Sequence, residues 1–282
     1  MVKQKTMKKF EELKFSDYFM FGKVMEDSEL CREVLECLLQ RSVGELTTVD
    51  SEREFKYTSD GKPIRLDVYN EDIDGSVYDV EMENLNRKSI ESHQLPQRSR
   101  FYQASIDVDY LDKGKTYKSL PSSDVIFICT FDPFKRGLCT YTFHERCDED
   151  TMILLNDGTT KKFFNCTYKG KDIPEQLKEF YNYIRDGKPT GPLTEKINKA
   201  VVIGRRNEAW RTQYMREWVA LQDAKDEGYE AGKDAYREEI INNMLRFGKE
   251  PEEIALLCDL PEEYVKEVKT RLTEGQNTDG TC

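Results

Sequence analysis

The chain has 282 residues, a formal net charge of −11, and charged side chains at 34% of all positions. An acidic chain of this kind does not hold nucleic acid by bulk phosphate neutralisation, so any such contact rests on a local basic patch or on metal ions. The length suits one large domain, or a core with an appendage.

Residues 1–14 are basic and read as a poorly anchored start. Ser16 precedes DYFMFGKVM and Ser28 precedes ELCREVLECLL. Serine is a favoured N-cap, and both runs carry apolar residues at helical spacing, which predicts two helices or one broken near Glu26-Asp27. From Thr47 to Asn84 the chain is strand-rich, with Pro63 at a strand entry or edge. Asn86 to Asp112 reads as a helical crossover centred on 94–110, with Pro96 in the first turn. DVIFICTF is a continuous apolar strand of the kind covered on both faces, and the helix before it implies a parallel crossover unit. LCTYTFHER is a further strand, and MILLNDGTTKKFFN reads as a hairpin turning at Asn156-Asp157-Gly158. This order predicts an α/β fold with a mixed sheet flanked by helices.

Beyond Ile173 the pattern is helical. PEQLKEFYNYIRDG is one helix, and the run from Pro192 to Gly228 is one long helix or two. Gly228, Gly232 and Gly248 punctuate a charged stretch, and the segment from Asn242 to Leu272 reads as three short helices. The expected organisation is a core over 1–172, a helical region over 173–273 and a disordered tail over 274–282.

The densest chemistry lies in IRLDVYNEDIDGSVYDVEMEN, Ile64 to Asn84. Asp79, Glu81 and Glu83 recur at period two and share one face of a half-buried strand, while Tyr78, Val80 and Met82 form the apolar face. Acids in such a row repel one another, and a divalent metal is the simplest offset. The turn sets whether Asp67 joins them. A two-residue Asp74-Gly75 turn pairs Asp67 with Met82 and turns it away. A three-residue loop, Ile73-Asp74-Gly75, with Gly75 left-handed, pairs Asp67 with Glu81. The second register is expected. Spacing alone also fits two solvated acids on an exposed sheet face.

An acid on one strand, a short hairpin, then an acid-x-Lys strand is the pattern of PD-(D/E)XK nucleases. SDYFMFGKVMED, RLDVYNEDIDGSVYDVEMEN, LPQRSRFYQ and VIFICTFDPF, in that order, resemble its recombination-promoting nuclease and transposase branch over about Phe15 to Thr167. The resemblance implies a restriction-endonuclease-like core and a Mg²⁺- or Mn²⁺-dependent endodeoxyribonuclease acting on DNA, in recombination or in a transposase-like role. Asp67 and Glu81 would hold the metal with the backbone carbonyl of Met82, since hard oxygen ligands suit such ions.

Glu83 departs from the superfamily pattern, which has Lys there, and from this branch, where Gln is common. Glutamate can serve as a further metal ligand or a general base, or it can mark lost activity. Arg98 and Arg100 stand near the start of the following helix, where a cation reaches a phosphate. The resemblance selects Arg98; Tyr102 and Gln103 lie one turn on, placed to support it or, as the simpler reading, to pack in the ordinary way. The plain alternative is a solvated arginine, or one pairing Asp79 or Glu83. Asp17 heads the first helix, from which the superfamily often supplies an acid; a carboxylate at a helix N-terminus is equally well explained by the helix dipole.

The remaining signals argue against other classes. No two of the eight cysteines are separated by two residues, so zinc-ribbon and Cys-x-x-Cys redox motifs are absent. His93 and His144 are the only histidines and lack a ligand-spaced partner, which argues against a His-dependent nucleophile system. No glycine-rich phosphate loop is present. Arg87-Lys88, Lys161-Lys162 and Arg205-Arg206 are basic pairs suited to a DNA backbone or to a solvated face. PEEIALLCDLPEEYVKEV has the outline of a helix-turn-helix, but its second helix is acidic and would repel phosphate, so packing or homo-oligomer formation is expected of it. No apolar run reaches membrane-span length and the first residues lack a signal-peptide core, so a soluble, cytoplasmic setting is expected. Two readings remain beside the DNA endonuclease: an inert nuclease fold serving as a binding or assembly module, and an RNase.

Overall fold

In the computed structural model, which describes residues 7–55, 64–84, 94–111 and 116–278, six strands form one mixed sheet. They are β1 (Leu46–Phe55), β2 (Ile64–Asp72), β3 (Val77–Glu83), β4 (Ser123–Cys129), β5 (Thr140–Phe143) and β6 (Thr159–Asn165). Their order across the sheet is β1-β2-β3-β4-β6-β5. β1, β2 and β3 are antiparallel neighbours, β3, β4 and β6 are parallel, and β5 returns antiparallel on β6. Burial is complete along the SDVIFIC run of β4, as its unbroken apolar pattern predicts.

The helices are α1 (Tyr18–Met25), α2 (Ser28–Leu39), α3 (Leu95–Leu111), α4 (Glu175–Asp186), α5 (Pro192–Gly204), α6 (Glu208–Arg246), α7 (Pro251–Cys258) and α8 (Glu262–Thr278). α3 covers one sheet face, where Leu95, Ile106 and Tyr110 pack with Tyr69, Val77, Val125, Phe127 and Phe163. α1 and α2 lie on β1, and α1 reaches β2. The Cys31 thiol donates to Asn70 Oδ1 at 3.2 Å.

Two compact units divide the chain, 1–212 and 213–282. α4 and α5 belong to the first, because their apolar stripes (Leu177, Phe180 and Tyr181; Leu193, Ile197 and Val201) are buried and contact α1 and α2. The boundary expected after residue 172 therefore falls inside a unit that continues to Thr212. In the second unit, Ile241 of α6 packs with Ile254 and Ala255 of α7 and Val265 and Val268 of α8. Residues 279–282 of the expected tail lie outside the described residues.

Other sequence expectations are corrected locally. Residues 8–14 are anchored rather than loose: Phe10 and Leu13 are buried, and Phe10 meets Phe19 edge-on. The helix break near Glu26-Asp27 is present, but aspartates occupy the caps. Asp27 accepts from the Glu29 and Leu30 amides, and Asp17 is the N-cap residue of α1. The segment 152–165 is not a hairpin. β6 inserts between β4 and β5, burying Phe163 and Phe164, and Leu154 makes only an isolated bridge with Arg146. α6 runs straight through Gly228 and Gly232, where pairs such as Glu230–Lys233 and Asp234–Arg237 line the helix; only Gly248, at φ +77°, ends it.

Candidate active site

The register of the acidic hairpin is the expected one. Val68 pairs with Val80, Tyr69 with Asp79, Asn70 with Tyr78 and Glu71 with Val77, so Asp67 stands opposite Glu81 on the same face. Gly75 makes this possible at φ +79°, with its amide donating to the Asp72 carbonyl at 2.9 Å. Asp72 Oδ1 also accepts the Asp74 and Ser76 amides, which fixes the three-residue loop.

The ladder between β2 and β3 stops at Val68–Val80, although β2 continues on β1 and β3 continues on β4 as far as Glu83–Cys129. The two strands fork there, and side chains take over the backbone bonding. The Asp67 amide donates to Glu81 Oε1 at 2.8 Å, and the Met82 amide donates to Asp67 Oδ2 at 3.0 Å. Within a strand residue the N–H and C=O point the same way, so the Met82 carbonyl also faces the fork. Asp67, Glu81 and the Met82 carbonyl are thus gathered at one point. The fork lies at the carboxyl ends of β3 and β4, where sheets of this type place their ligands.

β3 is not half-buried as expected. All its residues before Glu83 are buried, because α3 lies over the acidic face. Asp79 is 0% exposed and Glu81 2%. Burial, reinforced by the Asp67 charge, pushes both carboxyls well above the usual carboxylate range. Burial likewise raises Asp67 to about 6, against the opposing bond from the Met82 amide. With the Asp79 and Glu81 carboxyls both ionised, Asp79 has no donor for either oxygen; a protonated Glu81 can donate to it. Asp79 was legible as a face-mate of Glu81, but its isolation was not, since that depends on the helix above it.

Arg98 reaches the fork from the first turns of α3. Its Nη1 donates to Glu83 Oε2 at 2.6 Å and its Nη2 to Glu81 Oε2 at 3.3 Å. Nε and Nη2 both donate to the Tyr102 hydroxyl, at 3.2 and 3.1 Å. The guanidinium carbon stands 5.5 Å from the ring centres of both Tyr102 and Phe127. Sequence reasoning missed Phe127 as a platform for this cation; its only signal was membership of the apolar run. Gln103 turns away from the acids, to Ser123 and Asp107. Arg100 is exposed.

Asp17 is engaged elsewhere: its Oδ2 accepts the Lys8 ammonium, and the Lys14 amide at 2.6 Å. Asn84, just past β3, donates to the carbonyl of neighbouring Ser16, so the start of α1 borders the strand end. His93 and Arg87-Lys88 lie outside the described residues. His144 lines a polar cavity of about 380 Å³ at the amino ends of β4 and β6, beside Arg41, Asp124 and Lys162. Arg205 donates to the Leu13 carbonyl at 2.8 Å.

The donor set suits a hard divalent cation. Arg98 pairs with Glu81 and Glu83, the Arg65 and Arg98 charges both act on Asp67, and both oxygens of Asp79 lack donors. No three His, Cys, Asp or Glu side chains converge as a metal cluster among the described residues. Asp67 and Glu81 with one backbone carbonyl is the sparser arrangement, and Mg²⁺ commonly takes one or two carboxylates and completes its shell with water and phosphate.

Among the described residues, no helix is long and apolar enough to cross a membrane. No curated protein and no solved structure matches the chain significantly. A family model does match, that of the PD-(D/E)XK nuclease family transposases, over residues 14–165. That segment contains the whole sheet and the fork. The chain belongs to the PD-(D/E)XK nuclease family transposases, with the restriction-endonuclease-like α/β fold that this implies.

Proposed function

We propose that this protein is a Mg²⁺- or Mn²⁺-dependent DNA endonuclease that hydrolyses phosphodiester bonds at the β2–β3 fork, in recombination or a transposase-like process. The observation that carries the reading is the paired backbone-to-carboxylate bonding of Asp67 and Glu81, with the Met82 carbonyl beside them. These groups would hold the metal, which when bound polarises the scissile phosphate and supplies hydroxide at neutral pH. Asp67 and Glu81 orient each other through the strand amides. Arg98 stands where it can contact a phosphate oxygen, and Glu83 holds it there. Asp17 is the weakest part of the ligand set, because its Oδ2 already serves both Lys8 and the Lys14 amide.

A plasmid nicking assay with Mg²⁺, Mn²⁺ or EDTA tests this. Asp67→Ala and Glu81→Ala should each lower metal-dependent nicking by roughly a thousandfold, the equivalent of several kcal/mol of transition-state stabilisation. Cleavage retained by both variants would refute the assignment. Cleavage of RNA in place of DNA would move the substrate but keep the site.

A second reading is an inert nuclease fold used for assembly through the C-terminal helices. It draws on Glu83, which is neutralised by Arg98 and offers no cation to the reaction. Absence of nicking with every metal would favour it. The cytoplasmic setting and a homo-oligomer formed through the C-terminal helices beyond about Ile173 belong to these proposals.

A further inference from the structure

Arg98 sits on the fork in an asymmetric grip. Its short arm is on Glu83, at 2.6 Å, and its long arm on Glu81, at 3.3 Å. The Tyr102 hydroxyl takes two more of its N–H groups, and the rings of Tyr102 and Phe127 flank the cation. Glu81 divides its oxygens: Oε1 accepts the Asp67 amide and Oε2 accepts Arg98. Oε2 is the oxygen a metal at the fork would need, and a guanidinium now holds it.

We infer that Arg98 is a built-in counter-ion for Glu81, positioned by Tyr102, and that a divalent metal and Arg98 compete for Glu81 Oε2. This rests on the metal reading above and adds a control on metal loading. When metal takes Glu81, the guanidinium releases its weaker arm and stays attached to Glu83 and Tyr102. The acidic site thus keeps a compensating charge without metal, and the displaced Nη2 is freed for a phosphate oxygen on substrate. Glu83 acquires a role that needs no chemistry of its own: it is the anchor about which Arg98 turns.

The test is calorimetric titration of Mn²⁺ into the full-length protein at pH 7.5, without DNA. Arg98→Lys keeps the charge but loses the fork geometry that spans Glu81, Glu83 and Tyr102. It should bind Mn²⁺ about fivefold more tightly than wild type, the worth of releasing one partly buried ion pair. Tyr102→Phe changes no charge and loosens Arg98, so it should tighten binding about threefold. Arg98→Gln should give the largest gain, about tenfold. Should loss of the guanidinium prevent folding, the other two variants still decide. Arg98→Lys and Tyr102→Phe binding no more tightly than wild type would overturn the competition. Failure of the metal reading looks different: wild type binds no Mn²⁺, or Asp67→Asn binds it as well as wild type.

Discussion

The two ends of β3 and β4 handle buried acid in opposite ways. At the amino end, Asp124 is 6% exposed and held between two cations, Arg41 at 3.0 Å and Lys162. At the carboxyl end, Asp79 is 0% exposed without a donor, Arg98 is divided between Glu81 and Glu83, and Asp67 takes its hydrogen bond from the Met82 amide. The first arrangement is balanced within the chain. The second buries carboxyls beneath α3, where desolvation makes their ionised forms costly. Strain of this kind concentrates where a protein awaits a ligand, and it is compensated by stability elsewhere.

If this contrast is right, removing an acid has opposite effects at the two ends. Asp124→Ala leaves Arg41 and Lys162 facing each other without their shared partner. It should cost about 1–2 kcal/mol of stability, the scale of losing charge-assisted hydrogen bonds to a half-exposed Arg41 and a partly buried Lys162, read by urea denaturation. A loss within experimental error would mean that this end is not the balanced one.

At the fork the sign reverses and depends on pH. Burial raises the Asp67 carboxyl from 3.8 to about 6, so the folded state favours the protonated acid. The stability it contributes is complete below the ordinary value and is lost as pH rises through about 6. Asp79 and Glu81, raised for the same reason, act in the same direction. In EDTA, Asp67→Asn should therefore be more stable than wild type at pH 7.5, by on the order of 2 kcal/mol, and equal to it near pH 4. Parallel stability curves for the two proteins across this range would remove the frustration argument.

The comparison also shows which features sequence can reveal. The hairpin register was legible because a period-two strand and a Gly75 loop leave two choices, and only one of them gathers the acids. The parallel β3–β4 pairing was legible from an unbroken apolar run. Burial of the acidic face was not, because it comes from α3, the next element in the chain, whose weak amphipathic pattern does not show which face packs on the sheet. The insertion of β6 between β4 and β5 was hidden for a related reason: strand order depends on long-range pairing, and Asn156-Asp157-Gly158 gives the same turn signal in either topology. The break expected at Gly228 and Gly232 failed because a glycine costs a helix only about 1 kcal/mol, which neighbouring helix formers and charge pairs absorb. The Arg98–Tyr102 bond was half legible, since residues four apart on a helix share a face. The grip on Glu83 required the fold.

Asp67 and Glu81 are placed to hold a divalent cation at the fork. Thermal unfolding at pH 7.5 in Mg²⁺ and in EDTA, wild type beside Glu81→Gln, tests it most directly. About 10 mM Mg²⁺ should raise the wild-type Tm by roughly 3–6 °C, as a ligand well above its Kd does for a chain of this size. Glu81→Gln should not respond to Mg²⁺, and in EDTA it should melt above wild type. An equal metal response in both proteins, or a Glu81→Gln variant that melts below wild type in EDTA, would contradict it.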